Sequence, residues 1–301
     1  MPFIQVGHEN SNKINLYYED HGSGDPIVLI HGWPLSGRSW EKQVSVFLEA
    51  GHRVITYDRR GFGSSSQPTI GYDYDTLAKD LDTIMTTLDL KNVTLIGFSM
   101  GGGEVARYLG TYGSERVKKA VFISAITPFL LKTSDNPNGV GPEVFDGIQK
   151  SVTEDRPAFL AGFFANFFNE DVLKDKFISP EAIQNCWNTA VGASPTGTFE
   201  CVGAWKTDFR KDIAKIDIPV LIVHGDADRI VPFEASGKNM QALIKGSKSV
   251  VIKGGCHGLN WTHSEKLNSE LLDFLAEGEL IENYAVRGKK PATGETTVRN
   301  N

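Results

Sequence analysis

Cysteine is scarce in this chain: three residues in 301, Cys186, Cys201 and Cys256, at wide spacings, with no C-x-x-C and no H-E-x-x-H. Such spacing suits reduced thiols better than a disulfide framework, and without the common zinc signatures no metal site is expected. Long apolar runs are missing too. The longest, such as Pro26 to Ile30 and Pro219 to Val223, are strand length, against the roughly 20 residues that a membrane span needs. Positive charge is in deficit, with 31 Lys and Arg against 37 Asp and Glu and a net charge of -6. The one basic block is Arg287-Gly-Lys-Lys290, so no nucleic-acid partner is expected. The opening residues, Met1-Pro-Phe-Ile-Gln-Val-Gly-His-Glu, offer neither a basic nor an apolar signal-peptide region, and a cytoplasmic location is expected. With no internal repeat of solenoid or propeller period, what remains is a globular composition, 40% hydrophobic and 23% charged, able to bury a large core as two domains or as one with an insertion.

Apolar periodicity gives the organisation. Phe3 to Val6 and Ile14 to Glu19 read as a hairpin, closed by the turn residues Asp20 to Asp25. Buried-type strands then alternate with amphipathic helices: strand Pro26 to Ile30, helix Ser39 to Ala50, strand Arg53 to Tyr57, helix Thr76 to Leu88, strand Val93 to Ile96, helix Gly102 to Tyr112, strand Val117 to Ser124. Continuous apolar strands between helices imply a mostly parallel sheet covered on both faces, with ligand sites at the carboxyl ends of its strands.

From Ser124 to Ile218 that rhythm stops. Short helical patterns replace it near Pro142 to Val152, Pro157 to Phe168, Pro180 to Val191 and Thr198 to Ile213, each starting at Pro or Thr as a helix should. The stretch is rich in large apolar residues, among them Phe129, Phe159, Phe163, Trp187 and Trp205. Residues 125-217 therefore read as an inserted helical cap whose aromatics are shared between its own core and the roof of a pocket. The α/β pattern resumes with strand Val220 to Val223, helix Glu234 to Ile244, strand Ser249 to Lys253 and helix Trp261 to Leu275. Residues 1-124 and 218-277 thus form the core, an eight-stranded sheet in all. Residues 278-301, polar and without period, read as a mobile tail.

The chemistry starts at Gly97-Phe-Ser99-Met-Gly101, a G-x-S-x-G between an apolar strand and a helix. In such a nucleophile elbow the serine sits at the apex of a strained strand-to-helix turn, and only residues without a Cβ fit two positions either side. The turn lifts Oγ clear of the sheet and aims the first helical N-H groups at the same spot. A serine hydroxyl is a weak nucleophile until a base takes its proton, so Ser99 needs a histidine and a group to orient it. In this topology the order is serine, acid, histidine, each after a strand. His224-Gly-Asp226-Ala-Asp228 follows one late strand and Gly254-Gly-Cys256-His257-Gly258 follows the next, which supplies both in that order. Asp228 is preferred as the acid, because Asp226 directly follows a glycine and is placed to close the turn. His263 falls within a helix pattern, and solvated roles suffice for His8, His21 and His52.

An oxyanion hole needs a second N-H, which this fold takes from the loop after the third strand, here His31-Gly32-Trp33-Pro34. The backbone N-H of Trp33, paired with that of Met100, fills the role. His31 reads as a loop-holding histidine rather than a base. Pro34 restricts the backbone of Trp33 and fixes where its carbonyl points beside the oxyanion site.

His31-Gly-Trp-Pro-Leu, Tyr57-Asp-Arg-Arg-Gly-Phe-Gly-Ser-Ser, Gly71-Tyr-Asp-Tyr-Asp-Thr, Gly97-Phe-Ser-Met-Gly-Gly-Gly-Glu-Val-Ala-Arg-Tyr and His257-Gly-Leu-Asn-Trp-Thr-His together resemble the cofactor-free bacterial haloperoxidases. These are α/β-hydrolases also described as perhydrolases and aryl esterases, with γ-lactamases as close relatives. The similarity spans about residues 3 to 277. It implies Ser99, Asp228 and His257 as the triad, Trp33 and Met100 as the oxyanion hole, and no haem, vanadium or other metal. Proline after the oxyanion residue, as in perhydrolase-like members, favours activity with hydrogen peroxide. Two departures stand out: Cys256 replaces the proline common before the histidine, and the tail runs past the usual end.

The expected function is hydrolysis of small, largely apolar carboxylic esters through an acyl-enzyme, with peracid formation when hydrogen peroxide replaces water. A γ-lactam or lactone hydrolase with the same triad is the near alternative, and a non-catalytic small-molecule binder the remote one. An epoxide hydrolase or dehalogenase would need a carboxylate in place of Ser99. Pro34, Phe129, Phe159, Phe163, Trp187, Trp205 and Leu259 are the expected pocket residues, and a homo-oligomer is compatible with the resemblance.

Overall fold

The computed structural model describes residues 2-277; the expected tail, 278-301, lies outside the described residues. Eight strands form one sheet: β1 (Phe3–Glu9), β2 (Asn12–His21), β3 (Pro26–Ile30), β4 (Arg53–Tyr57), β5 (Val93–Phe98), β6 (Val117–Ile123), β7 (Val220–Gly225) and β8 (Lys248–Ile252), in the spatial order β1-β2-β4-β3-β5-β6-β7-β8. The hairpin β1-β2 joins β4 antiparallel and every later pairing is parallel. Every residue of β5 and β7 is buried, because helices cover both faces and leave no polar side for alternation. At the edge, β8 is partly open and Val251 faces out.

Helices α1 (Glu41–Glu49), α2 (Tyr74–Thr87) and α3 (Met100–Tyr112) follow β3, β4 and β5. A 3-10 turn at Gly37–Trp40, absent from the periodicity reading, leads into α1. The start of α2 is fixed by Asp73, whose side chain accepts the Thr76 N-H at 2.9 Å, one of the donors that a helix cannot satisfy itself. Between β6 and β7 lie α4 (Pro142–Phe167), α5 (Glu170–Leu173), α6 (Pro180–Val191), α7 (Pro195–Ala204) and α8 (Arg210–Ile213). Helices α6 and α7 open on proline, with Ser179 and Ser194 capping the N-H groups of Ala182 and Gly197 at 3.1 Å each. After β7 come α9 (Gly237–Leu243), α10 (Leu259–Thr262) and α11 (Ser264–Ala276).

Several expected boundaries move. The two helices read at Pro142 to Val152 and Pro157 to Phe168 abut as α4, joined at Asp155 (φ -155, ψ 84). There Pro157 breaks the ladder and the Asp155 carboxylate caps Ala158 N at 3.0 Å. The helix expected over Thr198 to Ile213 starts earlier, stops at Ala204 and restarts as α8, where the carboxylate of Asp208 accepts Arg210 N at 2.9 Å. The helix expected from Glu234 to Ile244 is interrupted at Ser236, whose hydroxyl donates to the Ala125 carbonyl at 2.5 Å. The last expected helix divides at His263 into α10 and α11. The four-residue α5 carries no periodicity and was not expected.

Candidate active site

Ser99 sits in the turn between β5 and α3 with φ 55 and ψ -119, a left-sided backbone that a non-glycine residue adopts only when its surroundings impose it. The flanking glycines explain how the turn closes. A Cβ on Gly97 would stand 2.5 Å from the Gly101 carbonyl oxygen, and one on Gly101 would stand 2.4 Å from that of Ile30. The Ser99 N-H donates to the Ile123 carbonyl at 2.8 Å, which ties the apex to β6.

The loops after β7 and β8 bring the other two groups to the apex. His257 Nε2 lies 2.9 Å from Ser99 Oγ, and its Nδ1 lies 2.7 Å from Asp228 Oδ2. The ring is wedged between Phe98 and Phe167, with centroids 5.1 and 4.9 Å away. The Gly258 N-H donates to the Phe167 carbonyl at 3.0 Å, and a Cβ on Gly258 would stand 2.4 Å from the Phe168 ring. Asp228 is equally constrained: its Oδ1 accepts the N-H groups of Ile230 and Val231 at 2.9 and 2.8 Å. Burial pushes its carboxyl pKa up, but the charge of His257 and hydrogen bonds from His224 and His257 outweigh that and hold it well below the usual carboxylate range. Asp226 points elsewhere, its Oδ1 accepting the Gly254 N-H at 2.6 Å. Of the two acids, Asp228 and not Asp226 meets His257.

Sequence reasoning missed His224 as a neighbour of the site. Its buried ring donates from Nε2 to the Val231 carbonyl at 2.8 Å and stands 3.4 Å from Asp228 Oδ2. The signal was its position, four residues before the acid on the same strand end. Cys256 is buried beside His257, with Sγ 3.3 Å from Thr262 Oγ1, and burial pushes its thiol up to about 11. It is a packed thiol, not a nucleophile.

The two expected oxyanion donors flank Ser99. In the Ser99-Met100 peptide the carbonyl accepts Gly102 N at 3.0 Å and Ile126 N at 3.3 Å, so the Met100 N-H, on the other side of that plane, is turned away from them. On the facing loop, a Cβ on Gly32 would stand 3.1 Å from the Cβ of Ser99. Among the described residues, neither the Trp33 nor the Met100 N-H donates to a protein acceptor. The Trp33-Pro34 peptide is cis.

Above these groups lies a cavity of about 440 Å³ with Ser99 and His257 in its wall. Its other lining is mostly apolar, including Trp33, Ile126, Leu130, Phe145, Phe159, Phe163, Trp205 and Ile230, with Asn166 and Arg229 as polar exceptions. Trp33 is held edge-on by Phe163 and Trp205, at centroid distances of 5.1 and 4.9 Å, and its indole N-H donates to the Thr198 carbonyl. Phe159, Phe163 and Trp205, three of the expected pocket residues, are among those that line the cavity. Four expected pocket residues are not. Phe129 packs under the guanidinium of Arg210, and Leu259 is fully buried in the core. Trp187 turns to the outer face of the cap helices and donates to the Pro157 carbonyl at 3.0 Å. Pro34 is buried but does not line the cavity. Helical spacing does not say which side of α6 faces the chamber, which is the reason for Trp187; Phe129 and Pro34 lie on the loops after β6 and β3 and Leu259 opens α10, where long-range packing decides the direction of a side chain.

The fold and this constellation define a class, and comparison with known proteins agrees. The α/β hydrolase fold family matches residues 25–264. A candidate non-heme chloroperoxidase from Synechocystis sp. is 61% identical over 275 residues, covering 91% of this chain and 100% of that protein. A bifunctional esterase/perhydrolase of Acinetobacter calcoaceticus is 38% identical over 269 residues, covering 87% of this chain and 96% of its own length. Among solved structures, a bromoperoxidase from Bacillus anthracis superposes with a TM-score of 0.88 at 52% identity, covering 92% of this chain and 99% of that one. The chain belongs to the α/β-hydrolase family, among the non-haem haloperoxidases, and is an enzyme. No helix among the described residues is long and apolar enough to cross a membrane.

Proposed function

We propose that the protein hydrolyses small, largely apolar carboxylic esters through an acyl-enzyme on Ser99, and forms peracids when hydrogen peroxide replaces water. The observation that carries this reading is the unbroken chain Asp228–His257–Ser99 in the wall of an apolar chamber. His257 Nε2 takes the Ser99 proton as Oγ forms its bond to the ester carbonyl carbon. The carbonyl oxygen becomes an oxyanion held by the N-H groups of Trp33 and Met100. Collapse breaks the bond to the alcohol oxygen, which leaves with the proton from His257. Water or peroxide then attacks the acyl carbon, giving a proton to His257, which passes it to Ser99 Oγ as the bond from Oγ to the acyl carbon breaks and acid or peracid departs. The carboxylate of Asp228 keeps Nδ1 protonated and stabilises the imidazolium formed in each step. A peracid released to solution oxidises bromide to hypobromous acid, returning as the carboxylic acid, so halogenation would be indirect.

Residues 125-217 act in this reading as the cap that gives the chamber its apolar wall. It is supported by relatives named as an esterase/perhydrolase, a non-heme chloroperoxidase and a bromoperoxidase. Three free cysteines suit a reducing compartment, which favours the cytoplasm. The test is Ser99→Ala assayed with phenyl acetate and with acetate, peroxide and bromide. Loss of both activities is expected, together with loss of fluorophosphonate labelling; bromination at the wild-type rate by the mutant would overturn the mechanism. A γ-lactam run in parallel reports whether the same triad opens a cyclic amide.

A further inference from the structure

The catalytic chain accounts for Ser99, His257 and Asp228, but not for a buried array directly beneath the oxyanion loop. Arg59 and Glu104 form an ion pair at 2.9 Å with both side chains at most 1% exposed, and the Tyr57 hydroxyl bonds to the second carboxylate oxygen. Removing one partner of so buried a pair is costly, yet its placement suggests more than stability. Glu104 lies on α3, the helix that begins with Met100, and Arg59 grips the loop that carries Trp33. Both donors assigned to the oxyanion are thereby tied to one pair.

The grip runs through His31. Its Nε2 lies 2.9 Å from the backbone N of Arg59, and a backbone N-H can only donate, so Nε2 is the acceptor and the ring proton sits on Nδ1. Nδ1 is 2.9 Å from the Gly32 carbonyl oxygen and donates to it; the Leu35 N-H donates to the same oxygen at 3.1 Å. The carbonyl of His31 itself accepts from Arg59 Nη2 at 2.9 Å. The consequence lies in the planarity of the peptide. The Gly32 carbonyl and the Trp33 N-H belong to one trans unit and point in opposite directions. Two donors that hold the carbonyl on one side hold the Trp33 N-H on the other.

We propose that His31 is a positioning residue for catalysis, which aims the Trp33 N-H at the developing oxyanion, and that Arg59, anchored by Glu104, fixes the one tautomer able to do so. The inference rests on the reading of Ser99 as nucleophile and Trp33 as oxyanion donor. His31 is buried and does not line the chamber. Burial and the Arg59 charge keep its ring neutral, consistent with a device that works by hydrogen bonding and not by proton transfer.

The test compares His31→Leu, His31→Asn and Glu104→Gln with the wild type, using phenyl acetate kinetics and inhibition by a trifluoromethyl ketone, which forms an oxyanion adduct with an active serine. His31→Leu is expected to lower kcat about 10- to 100-fold, short of full loss of a donor, with KM within about twofold and ketone affinity weakened in parallel. In His31→Asn the introduced amide nitrogen branches where Nδ1 does and can donate to the Gly32 carbonyl, so this variant should recover most of the loss. Should His31→Leu fail to fold, Glu104→Gln carries the test, with a smaller fall in kcat and the same constancy of KM. Unchanged kcat and ketone affinity in the variants, or losses in stability alone, would overturn the proposal. If Ser99→Ala is inactive in the same assay, such a result leaves the nucleophile reading standing; an active Ser99→Ala overturns that reading first.

Discussion

The site has a floor and a roof, and they are built differently. In the floor, position is enforced by backbone: Ser99 by its left-sided turn and two glycines, Asp228 by two N-H donors, His257 by the glycine beside it. In the roof it is enforced by aromatic packing, with Phe163 at the centre of contacts to Trp33, Phe159, Phe164 and Phe167. Backbone hydrogen bonds tolerate little displacement, whereas packed rings can exchange for others of similar volume. Under the proposed function the difference separates the roles: the floor would set the reaction and the roof what enters.

If that division holds, substitutions should split into losses of kcat and shifts of selectivity. After Ser99→Ala, the largest effect is expected for Asp228→Asn, which keeps the shape but turns an acceptor of the Nδ1 proton into a group that need not be one. A fall in kcat of about 10³- to 10⁴-fold with little change in KM is expected by steady-state kinetics; a fall of less than tenfold would break the comparison at its strongest point. Next comes the roof's inner face. Phe163→Ala should change the ratio of kcat/KM between a bulky aryl ester and acetate by about tenfold or more in favour of the bulky one. It should also destabilise by about 3 kcal/mol, read from the urea midpoint. A parallel loss for both substrates would mean that the roof takes part in the chemistry.

A pH effect follows from the buried ring of His31. Because burial and Arg59 lower its folded-state pKa below the ordinary histidine value, the unfolded chain takes up this proton first as pH falls. Stability attributable to His31 is therefore full above about pH 6.5 and is lost as pH falls from there toward the folded-state value. Urea unfolding of His31→Asn at pH 7 and pH 5 should show a smaller drop than the wild type. The lowered carboxyl of Asp228 acts with the same sign in a more acidic window, below about pH 4. The smallest effect belongs to the roof's outer face. Trp187→Phe should leave kcat and KM within about twofold on every ester, since its indole N-H meets the Pro157 carbonyl outside the chamber. A change in substrate preference would show that the outer face of the roof also shapes the chamber.

Much of the floor was legible because its geometry is local. The glycines around Ser99 announce a turn that no Cβ allows, and the acid and histidine follow strands that a run of β-branched residues makes plain. Asp226 and Asp228 could be ranked because a residue after a glycine closes turns. The roof was legible only as composition. Phe159, Phe163 and Trp205 face the chamber while Phe129 and Trp187, equally aromatic, do not, and nothing in their spacing separates them. Helix ends moved where a nearby carboxylate capped a new start, as at Asp155 and Asp208, or where a distant group intervened, as where the Ser236 hydroxyl meets the Ala125 carbonyl.

The sequence by itself determined the alternation of strands and helices, the elbow and the order of serine, acid and histidine, because these depend on periodicity and on the sterics of glycine over a few residues. Tertiary structure alone decided which aromatics wall the chamber and that His224 stands beside Asp228. It alone decided that Arg59 and Glu104, 45 residues apart, meet beneath the oxyanion loop. Such contacts join elements remote in sequence, and their energy comes from burial and charge pairing that no local pattern encodes.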